Sequence, residues 1–315
     1  STLVSGAPIV VEDSLGDTWR PENYSKKIFG PTRLRRALAQ SLNLVSVRLV
    51  RGLGTPLVLE HLEQFGFEAK KLPQGLSLAL GSADLTPWEM ARAYGVFANG
   101  GHLIEPYLIA RIENQKGEIV EYANRVMVCP ECELPDQYSN KREQDALYDP
   151  RYSKRVLSPE NAFLMTELMR DVIRTGTGRR ALSLGRDDLA GKTGTTNNNT
   201  DAWFIGFTSN LVVGVYVGND NPESLGKYET GSKTALPIFK QFIKNEMNNN
   251  KARPFKVAKG IVMMVVDQTT GKRANFSSNR TIIESFKKQQ FENNINTGID
   301  DLIFKVSKNN ILKFY

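Results

Sequence analysis

Three strand-like runs, at 189–193, 202–208 and 211–217, follow one another with only tight polar connections between them. Connections that short join neighbouring antiparallel strands, so the runs predict a meander. Helices precede it. Thr86-Pro87-Trp88-Glu89 supplies an N-cap hydroxyl, a proline in the first turn and a glutamate at the third position, and Met90, Tyr94 and Phe97 recur at helical spacing before Asn99-Gly100-Gly101 ends the run. Ser158-Pro159-Glu160 opens a second helix with Met165, Leu168, Met169, Val172 and Ile173 on one face. Gly30-Pro31-Thr32 leads into a short helix that delivers Ser41, and Thr55-Pro56 starts the next. A further helix at 234–245 follows the sheet. Helices first, sheet second and a closing helix predict an α+β fold, not alternating βαβ units.

Outside this frame, 107–112 and 118–122 flank Asn114-Gln115-Lys116-Gly117 and read as a hairpin. The acidic, irregular stretch 128–152 reads as a surface insertion. One more strand and turn are expected at 260–272. From 276 to 315 the chain is rich in Asn, Lys and Ile without clear periodicity, which predicts a loosely ordered tail.

The apolar share of 40% and charged share of 24% exclude a disordered or fibrous class. A formal charge of +7 suits nucleic acid, an anionic membrane surface or an anionic polymer, and equally an ordinary basic surface. Arg33, Arg35, Arg36, Arg179 and Arg180 offer phosphate contacts, but no aromatic interleaving or nucleic-acid-binding signature accompanies them. No run approaches the ~18 consecutive apolar residues of a membrane span. The chain starts at Ser1 without a charged and apolar leader, as expected of a sequence cut from a longer one. Cys129 and Cys132 form a single C-x-x-C, compatible with half a zinc site, a redox pair or a small disulfide. Zinc needs two more ligands and the two histidines, His61 and His102, lie in unrelated segments, which favours a local disulfide or two idle thiols. Neither a metal nor a cofactor is expected.

Residues 191–204 read GKTGTTNNNTDAWF. On a strand, Lys192 and Gly194 share one face and Thr193 takes the other, while Gly194 permits close backbone approach. Such an edge suits a peptide C-terminus, with its carboxylate near an ammonium; three residues also recur by chance as a strand edge bearing an exposed lysine. Ser41-Leu42-Asn43 at a helix end pairs a hydroxyl that can relay a proton with an amide that can fix a substrate, though Ser and Asn equally favour simple caps and turns. Together the two triplets outline a cleft between helices and sheet.

Four segments in order, GPTRLRRALAQSLN, LSLALGSADLTPWEMARAYGVFANGG, RTGTGRR and GKTGTTNNNTDAWFIGF, resemble the transpeptidase domain of class A penicillin-binding proteins. The likeness runs over about 6–245 and implies a transpeptidase domain at 1–247 with the 128–152 insertion, a β-rich extension at 248–275 and the tail beyond. It implies the fold shared with serine β-lactamases, incomplete at its N-terminus. It also implies a serine acyl-transferase that attacks the D-Ala-D-Ala end of a peptidoglycan stem peptide and is trapped by β-lactams. On matching positions Ser41 and Asn43 stand as the S-x-N pair and Lys192, Thr193 and Gly194 as the K-T-G strand. Ser41 then relays a proton to the leaving amine, Lys192 tunes it, and Thr193 and Thr195 hold the substrate carboxylate. The implied partners are stem peptides, β-lactams and other wall-synthesis proteins, at the periplasmic face of the bacterial inner membrane.

One departure weighs against these agreements. The family's nucleophile is the serine of S-x-x-K, N-terminal to S-x-N, with the lysine as base. No S-x-x-K precedes Ser41; the matches Ser224-Leu225-Gly226-Lys227 and Ser285-Phe286-Lys287-Lys288 both follow K-T-G. The glycan-polymerising domain and membrane anchor that the resemblance leads one to expect of a class A protein are likewise not expected within these residues. Loss of the nucleophile costs about 10⁶ in rate in the serine protease subtilisin, so the chain alone is expected to be inactive unless an N-terminal piece supplies the serine in trans. The alternatives are a non-catalytic module that holds stem peptides or protein partners and, less favoured, a serine β-lactamase, for which no water-activating glutamate is recognisable.

Overall fold

The computed structural model describes residues 2–12, 18–123, 126–128, 152–247, 250–276, 278 and 280–289. Four short strands come first, β1 (Leu3–Ser5), β2 (Val11–Glu12), β3 (Thr18–Trp19) and β4 (Pro31–Arg33), paired antiparallel as β1–β4 and β2–β3. Helices α1 (Leu34–Gln40), α2 (Asn43–Leu53), α3 (Thr55–Glu63) and α4 (Pro87–Ala98) follow. The α4 N-terminus is the expected capping box: Thr86 Oγ1 accepts from the Glu89 N–H at 3.2 Å and Glu89 Oε2 accepts from the Thr86 N–H at 2.8 Å.

Strands β5 (Arg111–Glu113) and β6 (Ile119–Tyr122) make the predicted hairpin, and α5 (Pro159–Arg174) runs from a Ser158 cap. The three runs become β7 (Ala190–Thr195), β8 (Asp201–Phe207) and β9 (Val212–Gly218), one antiparallel sheet in that order, with Lys192 opposite Ile205 and Gly194 opposite Trp203. A π-helical turn at Gly231–Ala235 leads into α6 (Leu236–Met247).

Alternation along β8 decides which helices cover which face. Phe204 points toward α6, its ring 4.8 Å from Phe239, within a cluster that includes Leu236, Ile243 and Ala202. Phe207, three residues on, points to the other face and packs with Ala190 on β7, Met169 on α5 and Tyr94 on α4. Each buried Phe contributes roughly 1.5–3 kcal/mol, so the two faces hold the sheet between helical layers. Lys192 alternates with Ala190 and so faces the α4 and α5 side, where α1 also packs against α5.

The tail expectation needs correction. Residues Thr281–Lys287 form β11, paired antiparallel along its whole length with β10 (Ile261–Asp267). Its inward positions include the buried Glu284, and a charge there breaks the apolar alternation that would have announced a strand. The residues from 290 onward, and all of the 128–152 insertion except Val128 and Tyr152, with Cys129 and Cys132, lie outside the described residues.

Candidate active site

Helix α1 has seven residues and ends on Ser41, whose φ of 53° and ψ of 55° are left-handed. The Ser41 and Leu42 N–H groups close the helix by donating to Leu38 O at 3.1 Å and Ala37 O at 2.9 Å. This position usually takes glycine, and a residue with a Cβ costs about 1–3 kcal/mol there, a penalty that concentrates at functional sites. The next helix begins two residues later, so Ser41 stands at the outside of a tight corner.

The corner meets the middle of β7. Lys192 Nζ donates to Ser41 Oγ at 2.7 Å and to the Thr193 carbonyl at 2.9 Å. Lys192 is half-buried and, among the described residues, no carboxylate is one of its hydrogen-bond partners. Desolvation therefore acts against its positive charge without compensation and lowers its pKa from 10.5 to about 8. At neutral pH roughly one Lys192 in ten is a free amine, enough for proton exchange with a neighbouring hydroxyl.

Thr193, on the opposite face, shares a 2.6 Å hydrogen bond between its Oγ1 and that of Thr177. Thr195 is exposed, and its Oγ1 accepts from the Gly231 N–H at 3.1 Å. Gly231 lies so close to the strand that a Cβ there would come within 2.2 Å of Trp203 O and 2.4 Å of Gly194 O. Asn43 occupies the first turn of α2, where its Nδ2 donates to Glu22 O at 2.8 Å. Among the described residues it shares no hydrogen bond with Lys192. The structure thus joins Ser41 to Lys192 directly, sets Thr193 and Thr195 on the flank of the same strand, and leaves Asn43 beside the corner.

Two contributors carried no role in the sequence reading. Thr177 lies within RTGTGRR, and its N–H donates to Ala39 O at 3.1 Å, tying the loop after α5 to α1. Gly176 makes this possible, since a Cβ would stand 2.1 Å from Ala39 O. The T-G-T spacing was the available signal. Gly231, in contrast, lies far along the chain in an unremarkable G-S-K-T, and only the fold brings it to Gly194.

Other candidates separate from the site. Ser285 stands on β11, paired with β10, with Lys288 just beyond the end of the strand, and Ser224 sits in the non-helical loop before the π-helical turn, so neither S-x-x-K match lies on a helix. Arg33 and Arg35 are engaged inside the protein with Glu284 and Asp171. His102 Nδ1 contacts Ser153, and His61 packs edge-on to Phe65. Among the described residues no group of three or more His, Cys, Asp or Glu could hold a metal.

Comparison with known proteins agrees with this geometry. The family described as penicillin binding protein transpeptidase domain matches residues 11–244. Penicillin-binding protein 1A of Pseudomonas aeruginosa is 37% identical over 321 residues, covering 94% of this chain and 39% of that protein. Penicillin-binding protein 1A of Neisseria gonorrhoeae is 34% identical over 264 residues, covering 83% of the chain and 30% of that protein. The chain therefore spans well under half the length of these relatives. The crystal structure of penicillin-binding protein 1A from Haemophilus influenzae superposes with a TM-score of 0.80 at 34% identity, over 90% of this chain and 44% of that one. A penicillin-binding protein of Mycobacterium tuberculosis, solved with penicillin V, shares the fold with a TM-score of 0.60 at 20% identity, over 81% of this chain and 66% of that one. An α+β fold whose helical corner and sheet edge meet at Ser41 and Lys192, and whose residues 11–244 match throughout, places this chain in the penicillin-binding protein transpeptidase family, as a domain of the 1A type.

Proposed function

We propose that this site binds the D-Ala-D-Ala end of a peptidoglycan stem peptide and moves the proton during its acyl transfer, and that β-lactams occupy the same place. The 2.7 Å contact between Lys192 Nζ and Ser41 Oγ carries the reading, because it couples a lysine of pKa about 8 to the hydroxyl of a left-handed serine beside a strand edge. Strand β7 is the outer member of the sheet, with β8 on its other side. An extended peptide can therefore add to it by main-chain hydrogen bonding. Its carboxylate meets the Thr193 and Thr195 hydroxyls, its backbone lies against Gly194, and Asn43 faces the side chain of the preceding residue.

In the transfer, a serine oxygen, its proton passing to the lysine of its own S-x-x-K, bonds to the penultimate D-Ala carbonyl carbon and the peptide C–N bond breaks. The departing amine takes a proton from Ser41, which regains one from Lys192. An acceptor amine from a neighbouring strand then reverses the sequence and forms the cross-link. The attacking serine belongs to an S-x-x-K, which these residues do not hold ahead of Ser41. The chain by itself thus orients the peptide and manages the proton without forming the acyl-enzyme. Wall polymers at the periplasmic face of a membrane are the natural setting; among the described residues no helix is long and apolar enough to cross one.

Two measurements on the purified chain test this. Calorimetry with a D-Ala-D-Ala peptide is expected to show saturable, reversible binding that Lys192→Ala weakens about tenfold. A fluorescent penicillin is expected to leave no covalent label until a polypeptide carrying S-x-x-K is co-expressed. Label on the chain alone overturns the inactive reading, and no heat at millimolar peptide overturns the binding site. Reversible binding that never becomes labelling with the added polypeptide identifies a non-catalytic module.

A further inference from the structure

We propose that Glu284 is a positioning residue for the Ser41–Lys192 pair, acting through α1, so that the β10–β11 hairpin belongs to the framework of the site. Both strands lie beyond residue 244, where the family match ends. The proposal rests on the reading of that pair as the proton relay.

A seven-residue helix is too short to be stable by itself, and α1 has no side-chain cap at its N-terminus. Its place is set by what holds its two ends. At the N-terminal end the carboxylate of Glu284 bridges two arginines: Oε2 accepts from Arg33, the residue preceding the helix, and Oε1 from Arg35 Nε at 2.7 Å. Arg33 Nη1 also donates to Gln268 O at 2.9 Å, at the turn of the same hairpin, and Arg35 pairs with Asp171 on α5. At the C-terminal end, Ala39 O accepts from the Thr177 N–H and Gln40 Nε2 donates to Thr175 O at 2.9 Å. Ser41 is the next residue.

The Arg33 and Glu284 side chains are only 5% and 8% exposed, so water cannot take the place of either partner. Removing the carboxylate's charge takes from two buried guanidinium groups, two residues apart, the anion they share; Arg35 keeps Asp171, and the loss falls chiefly on Arg33, at the start of the helix, which is unfavourable. The relief is for the first turn of α1 to move toward solvent. The helix is a single short rod ending on Ser41, and its motion separates Ser41 from Lys192 and admits water to the ammonium.

The sign of the response separates this from direct electrostatics. Deleting a negative charge, with nothing moving, makes a lysine easier to deprotonate. Rehydration of Lys192 makes it harder.

The test compares the 315-residue chain with Glu284→Gln, following Lys192 by NMR of ¹³C-labelled lysine assigned with Lys192→Met. The Lys192 pKa is expected to rise from about 8 by about one unit or more toward 10.5, with the melt still cooperative and Glu284→Asp intermediate. An unmoved or lowered pKa in folded Glu284→Gln overturns the proposal. Should that variant fail to fold, native-state hydrogen exchange on the unaltered chain decides: the Ser41 and Leu42 amides are expected to open together with the β10–β11 amides. Hairpin opening that leaves Ser41 and Leu42 protected overturns it. If Lys192 responds to Glu284 in a chain that binds no D-Ala-D-Ala peptide, the positioning role stands and the transpeptidase reading falls; peptide binding with an unresponsive Lys192 is the converse.

Discussion

Lys192 Nζ lies 2.7 Å from Ser41 Oγ across 151 residues of sequence, and the contact joins two costly features, a desolvated lysine and a left-handed serine. Neither stabilises the fold. Both are explained by what they can do together, the relation expected where function is maintained against stability.

The first consequence concerns pH. The unfolded chain holds the Lys192 proton up to about 10.5 and the folded chain releases it near 8, so between those values the unfolded state binds more protons. Stability contributed by this group therefore rises with pH across that window, by up to about 3 kcal/mol, and is flat on either side. Lys192→Met is expected to abolish the rise and to be about 1–3 kcal/mol more stable than the unaltered chain at pH 7. Urea midpoints of the two proteins between pH 7 and 11 measure the difference.

Ser41 gives a pair of opposed outcomes. Ser41→Gly relieves the left-handed strain and is expected to melt no lower than the unaltered chain, gaining up to about 1 kcal/mol, while peptide binding weakens through loss of the hydroxyl. Ser41→Val adds a β-branch where φ is 53° and should cost about 2 kcal/mol. Thermal unfolding and calorimetry on both variants check the separation of stability from binding.

The close approaches at Gly176 and Gly231 predict large effects from single methyl groups. In each case the added Cβ would fall within 2.2 Å of a backbone carbonyl oxygen, which no rotamer change can avoid. Gly176→Ala and Gly231→Ala should each destabilise by about 1–3 kcal/mol or more, lowering the melting temperature by several degrees. Gly185→Ala, at a φ of 65° but with open space around its Cβ, serves as the comparison and should cost about 1 kcal/mol.

Asp188 anchors the entry to β7. It is 1% exposed, takes a bidentate pair from Arg186 at 2.9 and 2.8 Å, and accepts from the Arg253 N–H at 2.8 Å. Asp188→Ala leaves a largely buried guanidinium without its anion and should cost about 3–5 kcal/mol, measured by urea denaturation.

Much of the frame was legible from local chemistry. The Thr86 capping box, the Ser158 cap and the alternation through Lys192-Thr193-Gly194 are short-range patterns, and the structure realises each within a residue or two. The alternation also told that Lys192 and Thr193 face opposite ways. Strand β11 escaped notice because Glu284 takes an inward position, and its partner Arg33 stands 251 residues away.

What the sequence determined by itself, then, is the order of helices and strands and the residue types presented at S-x-N and K-T-G, since caps, turns and periodicity act over a few neighbouring residues. The tertiary structure decided that Ser41 is left-handed, that it meets Lys192, that Lys192 loses its proton near pH 8, and that Glu284 holds the helix beneath them. Those properties come from desolvation and from contacts between distant segments, and both exist only once the chain has packed.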